Sequence, residues 1–217
     1  MKNEAFQRGY SQIELDVWEF NDDAISFYFN QGFTRVRQFL ELDCIPENSF
    51  FKEHYALRSI LPDDAERAAY IEAECFPPSE ACTLSIMKER VVAASDCFIA
   101  AVDRSTMQII GFINGLCTSE ANLKDELFTD TGLHDPNGEN IMICSVAVLP
   151  EYQRQGIARA MMAEFLRRQK LAGRKEAILT CVPGKISMYE KFGFIDRGES
   201  DSTWGGEKWH EMSCRLN

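Results

Sequence analysis

A long apolar strand that runs directly into a glycine-containing turn and an amphipathic helix constrains this chain more than any other feature. The strand is predicted over residues 141–149 and is ended by Pro150. Apolar side chains then recur at helical spacing from 157 to 171, and an apolar run with strand composition follows at 177–182. A strand, a helix and a second strand in this order predict a right-handed βαβ crossover, in which the two strands lie parallel.

The turn between the first strand and the helix has the chemistry of an anion-binding site. N–H groups at a helix start lack intrahelical acceptors and lie at the positive end of the helix dipole, which suits a pyrophosphate. Gly156 lets the backbone approach a ligand, Ala158 keeps the next turn thin, and Arg154 adds a fixed positive charge. The turn lacks the glycine pattern of a dinucleotide site and the Gly-Lys-Ser/Thr of a Walker A loop. An ordinary turn with a solvated arginine is the alternative.

Two motifs carry a resemblance to a known family. The run Gln-Arg-Gln-Gly-Ile-Ala at 153–158 resembles the Gln/Arg-x-x-Gly-x-Gly/Ala acetyl-CoA signature of the GNAT superfamily of N-acetyltransferases, with Ala158 at the second glycine. The strand at 177–182 is followed by a Pro-Gly break and by a short helix that ends at Gly193. That stretch is similar to the superfamily's a-x-x-Tyr-x-x-x-Gly-Phe pattern, which closes the coenzyme A groove, and its tyrosine is Tyr189.

The resemblance implies a fold and a co-substrate. The fold is α/β (α+β), the GNAT fold: a mixed, mostly antiparallel central sheet with a parallel βαβ core that binds acetyl-CoA, flanked by helices. Acetyl-CoA is the implied co-substrate, and no metal is implied. Backbone N–H groups of the central strand would hold the pantetheine if the strand bulges near 146–148. The residues assigned to the co-substrate are Val146, Ala147, Val148, Gln153, Arg154, Gln155, Gly156, Ile157, Ala158, Arg159 and Tyr189.

The order of elements predicts one complete domain of this kind at residues 51–217. Pro62 and the two aspartates after it predict a helix start, and the alternating tail at 208–216 predicts a last antiparallel strand. A polar stretch at 118–139 predicts a loop or part-helix. The remaining predicted elements are strands at 56–60, 97–102 and 108–117 and helices at 62–75 and 84–94.

Residues 1–50 repeat part of this pattern. Residues 27–33 parallel residues 188–194, with Tyr28 at the place of the motif's tyrosine. We interpret the segment as strand, helix and strand, the C-terminal half of a second GNAT-like domain, and as structural because no phosphate-binding turn precedes it; coincidence is the alternative. Half a fold cannot bury its own apolar face, so the segment must pack on residues 55–217, on another chain or on another partner. A homodimer formed through this half-fold is one hypothesis.

Within the superfamily, residues 55–217 are most similar to the arylalkylamine (serotonin) N-acetyltransferases. The similarity rests on Leu57-Arg58, residues 62–65 and 71–76, the loop at 134–138, the strand end at 145–148 and the ending at 211–214. It implies a small amine acceptor, an aryl-alkylamine in the first instance, that takes the acetyl group directly in a ternary complex. A protein or peptide N-acetyltransferase and a non-catalytic acyl-CoA-binding sensor or interaction module are the alternatives on the same scaffold.

Acetyl transfer needs an acid for the leaving thiolate and a base for the amine. Tyr189 is the predicted general acid, at the position of the family's tyrosine, and a core tyrosine is the alternative. Vertebrate relatives carry two histidines on the central strand, which are Met142 and Cys144 here, and neither relays protons as imidazole does. Insect relatives use a glutamate in the loop after the first helix, and Glu80 lies at about that place.

Glu80 is therefore the predicted general base, acting through water with a pKa raised by Phe76 and the neighbouring prolines. A carboxylate that stabilises a helix N-terminus is the alternative role for it, and Glu72 and Glu139 are alternative bases. A covalent acetyl group on Cys144 is disfavoured, because an apolar strand raises the pKa of a thiol and no histidine or lysine adjoins it.

The acceptor pocket is predicted between residues 75–82 and the loop 118–139. Its residues are Phe76, Pro78 and Ser145, with core packing as the alternative for Phe76. A small-molecule amine is the expected partner of this pocket.

Composition limits the other function classes. The formal net charge of −11 argues against nucleic acid as a partner, because phosphate contacts need clustered basic residues. No apolar run reaches the length of a transmembrane helix, and the first residues lack the apolar core of a signal peptide. Eight cysteines without a C-x-x-C pair and three scattered histidines predict reduced thiols and no metal site. We therefore expect a cytoplasmic protein that binds neither membrane nor nucleic acid.

Overall fold

The computed structural model describes residues 49–216. A short helix at its start, Ser49–His54 (α1), was not among the predicted elements, and Phe51 of this helix is buried in the core. The interpretation of residues 1–50 as a partial domain lies outside the described residues, as does the homodimer that would form through it. The division of the chain near residue 50 stays a prediction.

Seven strands form one mixed sheet with the order β1-β2-β3-β4-β5-β7-β6. All neighbouring pairs are antiparallel except β4 and β5, which are parallel and are joined by a helical crossover. This arrangement confirms the mostly antiparallel sheet with one βαβ unit. The strands are β1 Tyr55–Ser59, β2 Phe98–Asp103, β3 Ile109–Thr118, β4 Asn140–Val148, β5 Glu176–Cys181, β6 Ile195–Glu199 and β7 His210–Arg215.

Helices cover both faces of the sheet. The remaining helices are α2 Ala65–Cys75, α3 Leu84–Ala93, α4 Ile157–Leu171 and α5 Ile186–Glu190. One apolar cluster lies between the sheet and α2 and α3, where Ile71 and Met87 pack with Phe112. The other lies under α4, where Phe165 packs with strand residues such as Ile113. The predicted helices are thus confirmed, and each buries the apolar side of its amphipathic pattern.

The polar stretch at 118–139 is a loop, as predicted, with two short 3₁₀ turns at Asp125–Phe128 and Thr131–Leu133. Leu127 and Phe128 of the first turn are buried and belong to the larger of the two apolar clusters. The loop is therefore tied to the body of the domain near the middle of the sheet.

β4 and β5 pair only at their beginnings. Their ladder joins Asn140 to Glu176, Ile141 to Ala177 and Met142 to Ile178, and it ends there. Beyond this point β4 continues beside β3 alone, while β5 continues beside β7. The two strands therefore separate in the centre of the sheet, where backbone groups of β4 face away from β3 without a strand partner.

A β-bulge lies at the start of this separation. Across β3 and β4, Asn114 is opposite Ser145 while the next residue, Gly115, is opposite Ile143, so Cys144 is the extra residue. The sequence placed the bulge near 146–148, and the structure places it two residues before that range. Gly115 fixes the position, because a Cβ atom there would lie 2.5 Å from the carbonyl oxygen of Met142.

The cysteines of the described chain are free thiols, and five of the seven are buried. The closest sulfur pair joins Cys97 and Cys117, whose Sγ atoms lie 3.2 Å apart. Within residues 49–216 no helix has the length and apolar character to cross a membrane, and no cluster of three metal-ligating side chains occurs. The cytoplasmic location stays a prediction.

Candidate active site

A cavity of about 200 Å³ lies where β4 and β5 separate. Its walls come from the end of α2 and the loop after it, from both strands, from α5 and from the loop before β7. The charged side chains in these walls are Glu72, Glu80, Arg90 and Lys185, and Ser145 and Tyr189 contribute hydroxyl groups. The cavity thus brings together both predicted catalytic residues and the predicted pocket residues Phe76 and Ser145.

The edge of β4 presents backbone groups to this opening. Leu149 donates its N–H to Ile110 of β3 at 2.9 Å, so alternation along the strand turns the backbone of Ala147 toward β3 as well. Val146 and Val148 consequently direct their N–H groups toward the opening. Val146 also lines the cavity. The N–H groups of these two valines therefore fit the predicted hold on the pantetheine, whereas the backbone of Ala147 belongs to the sheet.

The predicted phosphate-binding turn is present at the start of α4. Gly156 precedes the helix with φ +86°, and Ala160 is the first residue to donate within the helix, to the Gly156 oxygen at 2.9 Å. The N–H groups of Ile157, Ala158 and Arg159 have no acceptor inside the helix. The side chain of Ile157 is buried, so only its backbone can reach a ligand.

The turn also has positively charged side chains beside it and open space in front of its backbone. The side chains of Arg154 and Arg159 are exposed beside it, and a Cβ atom added to Gly156 would meet nothing within 4 Å. Backbone donors, positive charge and an unobstructed approach are what a pyrophosphate requires. These residues fit acetyl-CoA as the sequence predicted.

The side chains of both glutamines in the 153–158 motif form hydrogen bonds with other groups of the protein. Gln153 Nε2 donates to the Val148 oxygen at 3.0 Å, and Gln155 Nε2 donates to the Glu151 oxygen at 3.2 Å. Tyr55, from β1, donates its hydroxyl to Gln155 Oε1. These side chains brace the turn, so we expect them to support the co-substrate site through its shape.

Replacing Gly156 by Val will weaken acetyl-CoA binding by about tenfold, equivalent to roughly 1.4 kcal/mol, because a branched side chain would be strained at positive φ and would fill the approach. Gly173, which follows the same helix, has φ +80° and equally open surroundings, so Gly173→Val is the matched control. Both variants should lose thermal stability to a similar degree. Isothermal titration with acetyl-CoA should detect a weaker affinity for Gly156→Val alone, and equal affinities would contradict the assignment of the turn.

Tyr189 lies in α5 with 7% of its surface exposed, and its ring meets the ring of Phe194 edge-on at 5.9 Å. Its hydroxyl has no hydrogen-bond partner among residues 49–216, and the side chain lines the cavity. Burial, with a smaller contribution from Cys181, raises the pKa of the phenol above its usual value. The group is therefore protonated at neutral pH, as a general acid must be before it acts.

Glu80 lies at the side of the cavity in the loop between α2 and α3. Burial raises the pKa of its half-buried carboxyl, and nearby Glu207 raises it further. Trp204 donates its ring N–H to the backbone carbonyl oxygen of Glu80 at 3.1 Å, which ties this loop to the segment before β7. The Glu80 side chain thus lines the cavity with a raised pKa, and its role as a base stays a prediction.

The pocket residue Pro78 is corrected by the structure. Both prolines are exposed, but Pro77 lines the cavity and Pro78 does not. The reason is a tight turn in which the oxygen of Pro77 accepts from the N–H groups of Glu80 and Ala81, at 2.9 and 3.0 Å. The loop therefore brings only its first proline to the cavity.

The other positions that the sequence analysis considered, the alternative base Glu139 and the strand residues Met142 and Cys144, have different places. Glu139 is exposed and forms an ion pair with Lys175 at 2.6 Å, outside the cavity lining. Met142 is fully buried, and Cys144 lines the cavity with a pKa raised by burial, which agrees with an unreactive thiol.

Glu72 is buried against β4 with only 3% of its surface exposed. Its Oε1 accepts from the Ser145 hydroxyl at 2.9 Å and from the Cys82 N–H at 3.4 Å, while Oε2 has no partner in the described chain. Burial raises the pKa of this carboxyl. The sequence contained a signal for this position, because Glu72 falls on the apolar side of α2 together with Ala65, Ala68 and Ile71.

Aromatic side chains complete the cavity and were missed by the sequence reasoning. Trp204 and Trp209 come from the segment before β7, and Trp204 packs against Phe128 with ring centroids 5.0 Å apart. Phe128 is the one residue of the 118–139 loop that lines the cavity among those described. No local motif identifies these residues, because the position of β7 between β5 and β6 brings them to the site.

Comparisons with known proteins agree with this geometry. Residues 93–196 match the family model described as an acetyltransferase (GNAT) domain. The serotonin N-acetyltransferase of Mesocricetus auratus is 26% identical over 163 residues, which cover 73% of this chain and 76% of that protein.

Solved structures share the fold. The GphF GNAT-like decarboxylase in complex with isobutyryl-CoA has a TM-score of 0.63 at 15% identity, covering 75% of this chain and 100% of that chain. A GNAT phosphinothricin acetyltransferase from Sinorhizobium meliloti in complex with acetyl-CoA has a TM-score of 0.56 at 15% identity, covering 76% and 89%. These likenesses confirm the predicted fold class.

Proposed function

We propose that this chain, whose residues 93–196 match an acetyltransferase (GNAT) domain, moves the acetyl group of acetyl-CoA directly to the primary amine of a small molecule. One observation carries the proposal: the separation of β4 and β5 brings the outward-facing edge of β4, the phenol of Tyr189 and two carboxylates to one cavity. The structural relatives that hold isobutyryl-CoA and acetyl-CoA support an acyl-CoA in the same groove.

The lining of the cavity supports an amine that carries an aromatic group. Four aromatic residues, Phe76, Phe128, Trp204 and Trp209, supply apolar faces, and such faces also attract cations. The carboxyl groups of Glu72 and Glu80 add negative charge that suits an ammonium. The similarity to a serotonin N-acetyltransferase points to the same class, so aryl-alkylamines are the first candidates.

The chain's own groups can supply each step of a direct transfer. A cavity carboxylate takes a proton from the ammonium, and the neutral nitrogen attacks the thioester carbonyl. The N–H groups of Val146 and Val148 stabilise the negative charge that develops on the carbonyl oxygen. Tyr189 then gives its proton to the coenzyme A sulfur as the carbon–sulfur bond breaks.

Acetyl-CoA-dependent release of free thiol across a panel of acceptors tests the function. The panel holds aryl-alkylamines, polyamines, aminoglycosides, amino acids and short peptides, and we expect turnover to be highest with aryl-alkylamines. Turnover with peptides alone would move the function to protein acetylation. Binding of acetyl-CoA without turnover on any acceptor would instead support a sensor or interaction module.

A further inference from the structure

A group of buried polar side chains lies behind the acceptor cavity. Glu72, Arg90 and Asn114 are each 3% exposed or less, yet each carries atoms without a hydrogen-bond partner in the described chain. These atoms are Glu72 Oε2, Arg90 Nε and both the oxygen and nitrogen of the Asn114 amide. Buried polar groups are almost always hydrogen-bonded, so this concentration of unpaired atoms indicates bound water or a polar ligand.

The members of this group are connected to one another and to the cavity. Asn114 is the cross-strand partner of Ser145, so both side chains lie on the same face of the sheet, and Ser145 donates to Glu72. Arg90 is held from the other side, because its Nη2 donates to the oxygen of Phe128 at 2.6 Å. Glu72, Arg90 and Ser145 line the cavity, and Asn114 lies behind Ser145.

We propose that Glu72 is the proton acceptor for the substrate amine, that Ser145 positions its carboxylate, and that Arg90 and Asn114 hold the water around it. Glu80 has a different role in this scheme, which is to bind the ammonium from the loop side of the cavity. The inference rests on the proposed function. It differs from the sequence-based expectation, which gave the role of base to Glu80.

The surroundings of Glu72 suit a base better than those of Glu80. Oε2 of Glu72 is unpaired and available to a proton, while Oε1 is fixed by Ser145. Burial raises the pKa of this carboxyl above its usual value, and Ser145 and Arg90 act in the opposite direction by stabilising the ionised form. A base works best when its pKa lies near the working pH. Glu80, by contrast, belongs to a loop and is only half-buried.

Protons balance over the whole reaction. The ammonium gives one proton to ionised Glu72, and its nitrogen forms a bond to the acetyl carbon while the carbon–sulfur bond breaks. Tyr189 protonates the leaving sulfur, and the second proton of the acylated nitrogen returns to the tyrosine oxygen through water. Glu72 finally releases its proton to solvent, so one proton leaves for each ammonium acetylated.

The test compares Glu72→Gln with Glu80→Gln in pH profiles of kcat/KM for the best amine of the panel. We expect Glu72→Gln to lower kcat at pH 7 by about 100-fold, with unchanged acetyl-CoA affinity and with partial recovery at alkaline pH, where the free amine needs no base. Glu80→Gln should raise KM and keep the acidic limb of the profile, which is the fall of kcat/KM at low pH as the base becomes protonated. Loss of that limb in Glu80→Gln, with its retention in Glu72→Gln, would overturn the proposal and return the role to Glu80.

Ser145→Ala gives a second test that does not remove the carboxylate. The Ser145 hydrogen bond lowers the pKa of Glu72, so its loss should move the acidic limb of kcat/KM to higher pH. An unmoved limb would show that the base is not bonded to Ser145 and would overturn the proposal. If the wild-type protein turned over no acceptor, the proposed function itself would be contradicted. If the wild type were active and Glu72→Gln were equally active, only the role of Glu72 would be contradicted.

The stability of the protein supplies a readout that needs no turnover. Because the pKa of Glu72 is raised in the folded protein, the folded state holds a proton that the unfolded chain releases above about pH 4.5. The wild type should therefore lose stability as pH rises through the folded pKa, and Glu72→Gln should lack this part of the loss. If the melting temperatures of wild type and Glu72→Gln differed by the same amount at every pH from 4 to 8, the pKa of the Glu72 carboxyl would not be raised in the folded protein. That result would contradict the proposal.

Discussion

Replacing Tyr189 by Phe will lower kcat for amine acetylation at pH 7 by about 100-fold or more, because a positioned general acid contributes about 10²–10⁴-fold. The phenylalanine keeps the ring that packs on Phe194 and removes only the hydroxyl, which has no hydrogen-bond partner in the described chain. The fold and the acetyl-CoA dissociation constant should therefore stay unchanged. Steady-state kinetics together with calorimetric binding of acetyl-CoA measure both quantities.

The pH dependence distinguishes loss of an acid from loss of packing. An alkyl thiol has a pKa of about 8.5, so its thiolate needs a proton less as the pH rises above that value. The deficit of Tyr189→Phe should shrink in alkaline buffer, whereas a packing defect would persist. Tyr152→Phe is a suitable control, because this hydroxyl donates to Asp103 at 3.1 Å and its side chain does not line the cavity. Equal kcat for Tyr189→Phe and wild type would remove the tyrosine from the mechanism.

The local elements of this fold could be predicted because their signals are local. The helix Ile157–Leu171 has the predicted limits, since Gly156 marks its start and the apolar spacing defines its length. The turn motif and Tyr189 were predictable for the same reason, as each depends on residues close in sequence. α1 was missed, because a helix of six residues has too few positions to show a period.

The walls of the acceptor cavity depend on contacts between distant parts of the chain. Trp204 reaches the cavity through the order of the last strands, and Pro77 replaces Pro78 through a tight turn. Glu72 and Arg90 are an intermediate case. Both occupy apolar positions of amphipathic helices, where a charged residue is costly unless it is paired or serves a function. That conflict could have been detected in the sequence, but its meaning required the positions of Ser145 and Asn114.

Replacing Gly115 by Ala should produce the largest loss of stability among these variants. The added Cβ would lie 2.5 Å from the Met142 oxygen and 3.0 Å from Ile141 Cδ1, so β3 and β4 would have to move apart. Overpacking of this kind costs about 1–3 kcal/mol, which corresponds to a fall in melting temperature of several degrees for a chain of this size. Differential scanning calorimetry measures the change.

The same substitution tests how the active site is built. Gly115 is opposite Ile143, next to the bulged residue Cys144, so movement of the strands there would displace the edge of β4 that we propose binds the acyl-CoA. We therefore expect the folded fraction of Gly115→Ala to bind acetyl-CoA more weakly than wild type. Gly184→Ala is the matched control for stability, because a Cβ atom at Gly184 meets nothing within 4 Å and its φ is not positive. A melting temperature for Gly115→Ala equal to that of the control would show that β3 and β4 do not approach this closely. In that case, the bulge at Cys144 would not depend on a glycine opposite it.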